Sequence, residues 1–447
     1  MKKNIALFCA LVLLFTTAFS TISAPLASAE DPVTISLWTS PDWKGVWAGE
    51  AETGNYGDFF RYAAEEFMKV NPDIKVSIEV VPAEERSQKL AVGIESGTLP
   101  DIYVEGDFTM FDYAHAGLLA PINSIVTDED KADISTALWD MVTANGDIYM
   151  FPFFSETGHL AINLDICEKY GINPKDYIAN YGADDEVGRW TPDEFKALLT
   201  ALKAVLPDGI YPYGFFCGTA AGDTFTRLFM TMYGGTNFDP ATKLSTSNSP
   251  ECVRALEFLE QCNSEGLFAP GAETMTVLDT YTMFQAGQLA VSICNNVNYD
   301  QWLRDHDTAL KMMYLPNEGD PSCYAYDKGS CVFDNGDPER IEAALKFIDF
   351  YSHGEYPDAS LAMLPLRASV AEKVDDPIKR NLILSSEYAG DFWVQAPAYS
   401  STRAYFFPEV QAVLIGTKTA QQAMDDAVAN INSIVEEQAE MSVLINK

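Results

Sequence analysis

Hydrophobic and polar residues alternate at the start of the chain with the two-residue period of a β-strand. Residues 33–38 ("VTISLW") and 74–80 ("IKVSIEV") both show this alternation, which is typical of strands with one buried face. Between them, the apolar residues of 58–67 recur at helical spacing. A second helical segment is closed by Gly97, and a short apolar strand follows at 102–104. This β-α-β-α-β order, with connections of helix length, predicts a parallel sheet with helices on both faces.

Later helices are indicated by their first residues. Thr191 stands before Pro192 and three positions before Glu194, which is the pattern of a capping box with proline in the first turn. Ser249 and Asp337 also stand directly before a proline. We therefore expect helices to begin at these three capping residues, in a chain that is α/β throughout.

Length and charge limit the kind of protein this can be. The chain has 447 residues, 47% of them hydrophobic, which predicts about two or three globular domains. The formal net charge is −36. A surface this acidic repels nucleic-acid phosphates and anionic membranes, so neither is expected as a partner.

The first 29 residues predict an export signal. Two lysines precede an apolar stretch at 5–19, and Ala27-Ser28-Ala29 offers a cleavage site. The alternative is a membrane anchor, but the apolar stretch is short for a bilayer span. Phe8 is too bulky for a lipoprotein signal, so we expect no lipid on Cys9 and an exported protein, extracellular or periplasmic.

The cysteines do not form an obvious framework. Without Cys9, seven of the eight remain, and an odd number cannot pair completely. Cys252 and Cys262 lie ten positions apart in one predicted helix, or about 15 Å, which is beyond disulfide reach. Cys323 and Cys331 flank a turn-like stretch and either pair or remain thiols. No Cys/His cluster indicates a metal, and no cofactor is expected.

The sequence lacks the common catalytic signatures. It contains no G-x-S-x-G, no G-x-x-x-x-G-K-[ST], no G-x-G-x-x-G and no H-E-x-x-H. Paired carboxylates could serve a glycoside hydrolase, but 65 acidic residues make such pairs uninformative. We expect a protein that is not an enzyme and keep an extracytoplasmic hydrolase as the alternative.

Aromatic residues stand beside acids and amides after several predicted strands. Sugars present apolar CH faces that pack on aromatic rings, and hydroxyls that pair with planar polar groups. Packing in the core is the alternative for any single ring. Open α/β sheets bind ligands at the carboxyl ends of their strands. The candidate ligand-binding residues are Trp38, Trp43, Glu105, Asp107, Phe108, Phe154, Glu156, Tyr213, Asn295, Asn296, Trp302, Arg367 and Trp393.

Several motifs, in order along the chain, resemble one family. "IESGTLPDIYVEGD" is similar to its S-G-x-x-P-D-I signature, "HAGLLAPINSIV" to G-L-L-x-P-L, "MFQAGQLAVSICNN" to F-x-x-G-x-A-A-M, and "AMLPLRASV" to G-x-x-P-x-R-x-S-V. The chain thus resembles the carbohydrate-type extracellular solute-binding proteins of ABC importers, family 1, which includes maltose-binding protein. It departs from the family pattern at Val291, Asn295 and Val297, where Met, Gly and Trp are common.

The resemblance implies a two-lobe periplasmic-binding-protein fold of type II. Each lobe would be a mainly parallel sheet flanked by helices, with the ligand cleft between the lobes. The N-terminal lobe would comprise residues 30–153 and 315–353, and the C-terminal lobe residues 154–314 and 354–447. Crossovers are expected near 152–155, 314–320 and 351–358.

The resemblance also implies the function. The protein would capture a sugar or oligosaccharide by hinge closure and deliver it, as a monomer, to the permease subunits of an ABC transporter. Glu105, Asp107 and Phe108 would face the ligand; alternatively, Asp107 only caps the next helix. A binding protein for a polyamine or peptide is the nearest rival.

Overall fold

The computed structural model of the protein describes residues 31–445, apart from residues 219, 307, 363, 390–394 and 397. Side chains of some further residues also lie outside the description, among them those of Asp107, Phe108 and Asn296. The predicted export signal falls outside the described residues as well. Within them, no helix combines the length and the apolar character needed to cross a bilayer.

The described strands and helices alternate along most of the chain. The strands are β1 Val33–Thr39, β2 Ile74–Val80, β3 Ile102–Gly106, β4 Leu119–Ala120, β5 Thr143–Ala144, β6 Asp147–Ile148, β7 Phe151–Asn163, β8 Tyr211–Tyr213, β9 Phe238–Asp239, β10 Leu244–Ser245, β11 Leu289–Asn295, β12 Leu310–Met313 and β13 Tyr324–Phe333. The helices are α1 Asp58–Val70, α2 Ala83–Ser96, α3 Asp107–His115, α4 Asp128–Asp133, α5 Thr136–Asp140, α6 Leu164–Lys169, α7 Pro192–Val205, α8 Ala220–Met230, α9 Pro250–Ser264, α10 Val277–Gln285, α11 Asn296–His306, α12 Pro338–Ser352, α13 Ala368–Ala371, α14 Pro377–Leu384, α15 Tyr399–Thr402, α16 Phe407–Leu414 and α17 Ala420–Ile445.

The helix starts expected from the sequence are confirmed. The Thr191 side chain accepts a hydrogen bond from the backbone N–H of Glu194, whose carboxylate in turn accepts from the backbone of Thr191. Ser249 and Asp337 cap α9 and α12 in the same position before proline. These local signals work because each satisfies backbone donors that a helix start leaves free.

Nine of the described strands form one sheet in the order β2-β1-β3-β13-β7-β11-β8, with β12 beside β7 and β4 beside β13. The pairs β5–β6 and β9–β10 form separate two-stranded sheets. The predicted parallel pairing holds for β2-β1-β3 and for β8-β11. The long strands β7 and β13 run antiparallel to each other and to their other neighbours. The sequence pattern does not predict β7 as a strand. This strand is buried along nearly its whole length, so its residues do not alternate between polar and apolar.

These two long strands connect the halves of the sheet. β13 pairs with β3 at its end and with β7 along most of its length, while the later part of β7 pairs with β11 and β12. We call β1 to β4 the first half, β8, β11 and β12 the second half, and β7 and β13 the shared strands. The positions of the three crossovers stay predictions.

The cysteine alternatives are resolved in favour of thiols. Cys323 and Cys331 are both free and buried. Cys331 lies within β13 opposite Tyr103, whereas the Cys323 thiol, ahead of β13, donates to the Ser385 carbonyl at 3.2 Å. No disulfide connects them, because β13 begins at Tyr324 and extends between the two cysteines, where the sequence suggests only a turn.

Candidate functional site

The carboxyl ends of strands from both halves meet at the shared strands. Gly106, the last residue of β3, is paired with Lys328 of β13, which is paired in turn with Phe154 of β7. Asn295, the last residue of β11, is paired with Gly158, only four positions further along β7. The sheet therefore presents two sets of strand ends at one place, which is where open α/β sheets bind ligands.

Polar side chains gather at this meeting point. We call them the junction cluster, which consists of Asp42, Glu105, Glu156, Asn295, Tyr326 and Lys328.

Glu105 is nearly inaccessible to solvent, and its carboxylate has several polar partners. It is 4% exposed and forms an ion pair with Arg86 of α2. The hydroxyls of Ser40 and Tyr103 donate to its Oε2 at 3.1 and 2.9 Å. Its negative charge is thus compensated by Arg86, and its other oxygen, Oε1, lies 3.4 Å from the Tyr326 hydroxyl.

Gly106 is required for this close approach. A Cβ atom at residue 106 would lie 2.0 Å from the Tyr326 hydroxyl oxygen, which is well inside contact distance. The glycine that ends "YVEG" therefore lets Tyr326 pack over the end of β3.

Lys328 forms the cationic part of the cluster. It makes an ion pair with Asp42 from the loop after β1, and its Nζ lies 5.9 Å from the centroid of the Phe154 ring. Trp43 lies next to these groups. Its ring centroid is 5.1 Å from that of Phe154, and its ring is nearly parallel to that of Phe153, with centroids 6.0 Å apart. Charged groups and aromatic rings are therefore side by side at the junction.

Glu156 and Asn295 connect the second half of the sheet to the shared strands. Asn295 Nδ2 donates a 2.6 Å hydrogen bond to Glu156 Oε1. Burial raises the pKa of Glu156, while the hydrogen bond from Asn295 and the charge of Lys328 act in the opposite direction. The carboxylate is half-buried and held in a fixed orientation.

Two of the three carboxylates in the cluster have a cationic partner. Arg86 pairs with Glu105 and Lys328 pairs with Asp42, whereas Glu156 is held by the neutral amide of Asn295. The site thus offers hydrogen-bond donors and acceptors beside aromatic rings, with most of its charge already paired. This composition suits a neutral ligand rich in hydroxyl groups. Among the described residues, no group of His, Cys, Asp or Glu side chains is arranged to hold a metal ion.

Part of the predicted ligand-binding set comes together here. Glu105, Phe154, Glu156 and Asn295 belong to the junction or touch it, and Trp43 lies beside it. The ligand contacts of these residues stay predictions. Predictions for four further residues fall on parts outside the described structure: the side chains of Asp107, Phe108 and Asn296, and all of Trp393.

Two predicted residues belong instead to the hydrophobic core. Tyr213 is 1% exposed and its ring packs edge-on against those of Phe195 and Phe268. Trp302 is fully buried and stacks on Phe284 with ring centroids 4.2 Å apart. These predictions are corrected to core packing, because a position near a strand end does not reveal which way the side chain points.

Trp38 and Arg367 are also corrected. Trp38 is 9% exposed, and the Nζ of Lys89 on α2 covers its ring at 4.1 Å from the centroid. Arg367 donates to Asp130 at 2.6 Å and to Asp133 at 3.4 Å. Its guanidinium is therefore occupied by a structural ion pair on α4.

Sequence reasoning missed Asp42, Tyr326 and Lys328. Asp42 and Lys328 are 286 positions apart, so no local pattern connects them. One available signal is the alternation in "YAYDKG", which has strand period and places the side chains of Tyr324, Tyr326 and Lys328 on one face.

Comparisons with known proteins agree with this architecture. Residues 51–352 match the family described as bacterial extracellular solute-binding protein. A binding protein of Brucella abortus is 26% identical over 239 residues, which are 53% of this chain and 54% of the relative, so the chain spans about half of that relative's length. The sn-glycerol-3-phosphate-binding periplasmic protein UgpB of Salmonella typhimurium is 23% identical, and the match covers 90% of this chain and 93% of UgpB.

Solved structures share the whole fold. The cyclic alpha-maltosyl-1,6-maltose binding protein of Arthrobacter globiformis superposes with a TM-score of 0.74 at 20% identity, covering 91% of this chain and all of the other. At this identity the likeness concerns the fold, which is the two-lobe α/β architecture expected from the sequence. Because the family match extends over more than half of its length, the chain belongs to the bacterial extracellular solute-binding protein family.

Proposed function

We propose that the protein captures a neutral sugar or oligosaccharide at the junction cluster and delivers it to the membrane permease of an ABC importer. The observation that carries this proposal is the charge compensation within the cluster. Glu105 and Asp42 are already paired with Arg86 and Lys328. What remains for a ligand is a set of hydrogen-bonding groups beside the rings of Trp43 and Phe154.

The same observation argues against charged ligands. A polyamine would need carboxylates without cationic partners, and two of the three carboxylates in the cluster have such partners. An anion, such as the phosphate ester named for UgpB, would need a cation in excess, but Lys328 lies among Asp42, Glu105 and Glu156. The carbohydrate named for the Arthrobacter structure is the chemistry that fits.

The shared strands supply the hinge of the proposed mechanism. We place the first crossover at the centre of β7, the second at the start of β13, and the third at the segment before Leu364, whose carbonyl accepts from the Ser155 N–H at 3.0 Å. We keep the lobe boundaries predicted from the sequence, except that both lobes share β13. Ligand binding favours the closed state only when contacts improve on closure.

The protein acts without chemistry on its ligand in this proposal. It is exported through residues 1–29, carries no lipid on Cys9, and works as a monomer. Incubation with a bound oligosaccharide for hours should leave that oligosaccharide intact. Sustained release of shorter sugars would favour the hydrolase alternative.

The experiment that tests the proposal is a thermal-shift screen. The panel contains mono- and oligosaccharides, together with spermidine, a short peptide mixture and sn-glycerol-3-phosphate. A ligand at 100 times its Kd stabilises the native state by about 2.7 kcal/mol, which raises the melting temperature measurably. We expect a shift with a glycan and none with the charged compounds; a shift with spermidine or glycerol phosphate alone would overturn the proposal.

A further inference from the structure

A contact between two parts of the protein is centred on His115, the last residue of α3. This helix directly follows β3 of the first half of the sheet. The Nε2 atom of His115 lies 3.0 Å from the carbonyl oxygen of Gln395. Because a carbonyl oxygen only accepts, this nitrogen carries a hydrogen and donates the bond. Gln395 is fixed a second time, since its Nε2 donates at 2.7 Å to the carbonyl of Asp140 at the end of α5.

Gln395 precedes a helix that is fixed to the second half of the sheet. Tyr399 of α15 is fully buried, and its hydroxyl accepts from Nη2 of Arg227 at 3.4 Å. Arg227 lies on α8, which follows β8 of the second half. The same helix α15 packs directly against α3. Gln395 and α15 therefore belong to one side of the molecule and contact the other.

A second contact lies on the same face of α3. Asp112 precedes His115 by three positions, so the two side chains are neighbours on the helix. Burial raises the pKa of Asp112, and hydrogen bonds from Ser400 and from the backbone of Tyr399 counteract that rise. We call the contacts that Asp112 and His115 make with Gln395 and α15 the α3 latch.

A positive charge on His115 is disfavoured in this arrangement. Burial lowers the pKa of His115, and the charge of Lys243 lowers it as well, while the Gln395 carbonyl and Asp112 act in the opposite direction. Lys243, between β9 and β10, lines the same cavity as Asp140 and Gln395. Burial raises the pKa of the Asp140 carboxyl. The latch therefore brings His115 close to a lysine that remains charged.

We propose that the α3 latch holds the two sides of the protein together while His115 is neutral, and that uptake of a proton by His115 opens it. This inference rests on the hinge of the proposed function and adds its regulation. A neutral His115 donates to Gln395 and needs no counter-charge. A protonated His115 keeps that hydrogen bond, but it brings a charge into a closed contact that faces Lys243. Acid surroundings would thus favour the open protein and the release of ligand.

The pH range follows from the pKa of a histidine in water, which is about 6.5. His115 would titrate near that value in the open protein, and its pKa is lower in the latched one. The stability of the latched state is therefore complete above about pH 6.5 and is lost as the pH falls towards the lower value. Asp112 and Asp140 act in the opposite sense, because burial raises their pKa values, but they start from about 4 and act at lower pH.

The test is small-angle scattering from the protein without ligand at pH 7.5 and at pH 5.5. The wild type should have the smaller radius of gyration at pH 7.5. His115→Gln retains an N–H that can donate to the Gln395 carbonyl but takes up no proton, so it should keep the smaller radius at both pH values. Lys346→Gln, at an exposed position on α12, is the control and should respond as the wild type does.

A further variant and a second measurement make the result specific. Lys243→Gln removes the charge that opposes protonation of His115, so its radius should change less between the two pH values. Circular dichroism at both pH values checks that the larger radius is not unfolding. An equal radius of the wild type at both pH values, or a change in His115→Gln as large as in the wild type, would overturn the latch and leave the proposed function untouched. Absence of binding to any glycan would overturn the proposed function without changing this result.

Discussion

The side-chain amide of Asn295 donates a 2.6 Å hydrogen bond to Oε1 of Glu156, which connects the end of β11 to the middle of β7. Glu156 lies on a strand that both halves of the sheet share, so this bond orients a carboxylate at the boundary between them. Burial raises the pKa of Glu156, and the amide counteracts that rise. Within the cluster, Glu156 is thus held by a neutral amide, whereas Glu105 and Asp42 are held by cations.

Replacement of two tryptophans should separate ligand binding from core packing. Trp43 is partly buried beside Phe154, and Trp43→Ala should weaken binding by about 1–3 kcal/mol if stacking on a sugar resembles stacking on a base. Trp302 is fully buried, and Trp302→Ala should lower the free energy of unfolding by about 3–5 kcal/mol. Chemical denaturation without ligand and calorimetric titration measure the two effects. Normal affinity in a well-folded Trp43→Ala protein would remove this ring from the site.

The sequence predicts features that are local. The capping box at Thr191 and the parallel strands β1 to β3 follow from spacing within a few residues. It does not separate Glu105, which lies at the junction, from Tyr213, which lies in the core. Both stand near strand ends, and only long-range pairing decides which space their side chains enter. Asp42 and Lys328 show this dependence most clearly. They are 286 positions apart, and neither residue indicates a binding site until the fold brings the two together.

Asp327 should make stability depend on pH. It is fully buried on β13, and burial raises its pKa to about 7, against the effect of the Ser155 hydroxyl. A raised folded-state pKa contributes stability that is present below the unfolded pKa of about 4 and is lost as the pH rises through the folded value. Asp327→Asn should therefore remove this loss. At pH 8 its free energy of unfolding should exceed that of the wild type by up to a few kcal/mol.

The measurement is urea denaturation of both proteins at pH 5 and pH 8. Asp320→Asn, at an exposed position, is the control and should follow the wild type. If the free energy of unfolding changes between pH 5 and pH 8 by the same amount in Asp327→Asn as in the wild type, this carboxyl does not titrate in that range.

Arg367 should matter for folding and not for ligand binding. Burial would raise the pKa of Asp130, but hydrogen bonds from His353, Thr127 and Arg367 outweigh it and lower the pKa to about 2. The stability from Asp130 is therefore present above about pH 4 and is lost as the pH falls towards 2. Arg367→Met should destabilise the protein by about 3–5 kcal/mol at neutral pH, since it leaves a buried charge with fewer partners.

Arg61→Met is the matched control for this change. Arg61 pairs with Asp58 on the surface of α1, where an ion pair contributes about 0–1 kcal/mol. Denaturation at pH 7 compares the two variants, and titration with the ligand from the thermal-shift screen checks binding. A large loss of affinity in a folded Arg367→Met protein would return Arg367 to the ligand site.

Ligand binding should make the protein more compact. β7 and β13 connect the two halves of the sheet, and contacts made from both sides favour a closed arrangement. Small-angle scattering at saturating ligand should give a smaller radius of gyration than scattering without ligand. An identical radius in both states would indicate a rigid pocket.

The most direct measurement of the central claim is calorimetric titration of the wild type and of Glu156→Gln with the glycan that stabilises the protein most. We expect the wild type to bind it with a Kd in the micromolar range, a binding free energy of about −8 kcal/mol. Glu156→Gln should weaken binding about tenfold or more, because a hydrogen bond to a charged group is lost, while Glu342→Gln, at an exposed position on α12, should bind normally. Equal affinity of the wild type and Glu156→Gln, with both proteins folded, would contradict the assignment of the junction cluster as the sugar site.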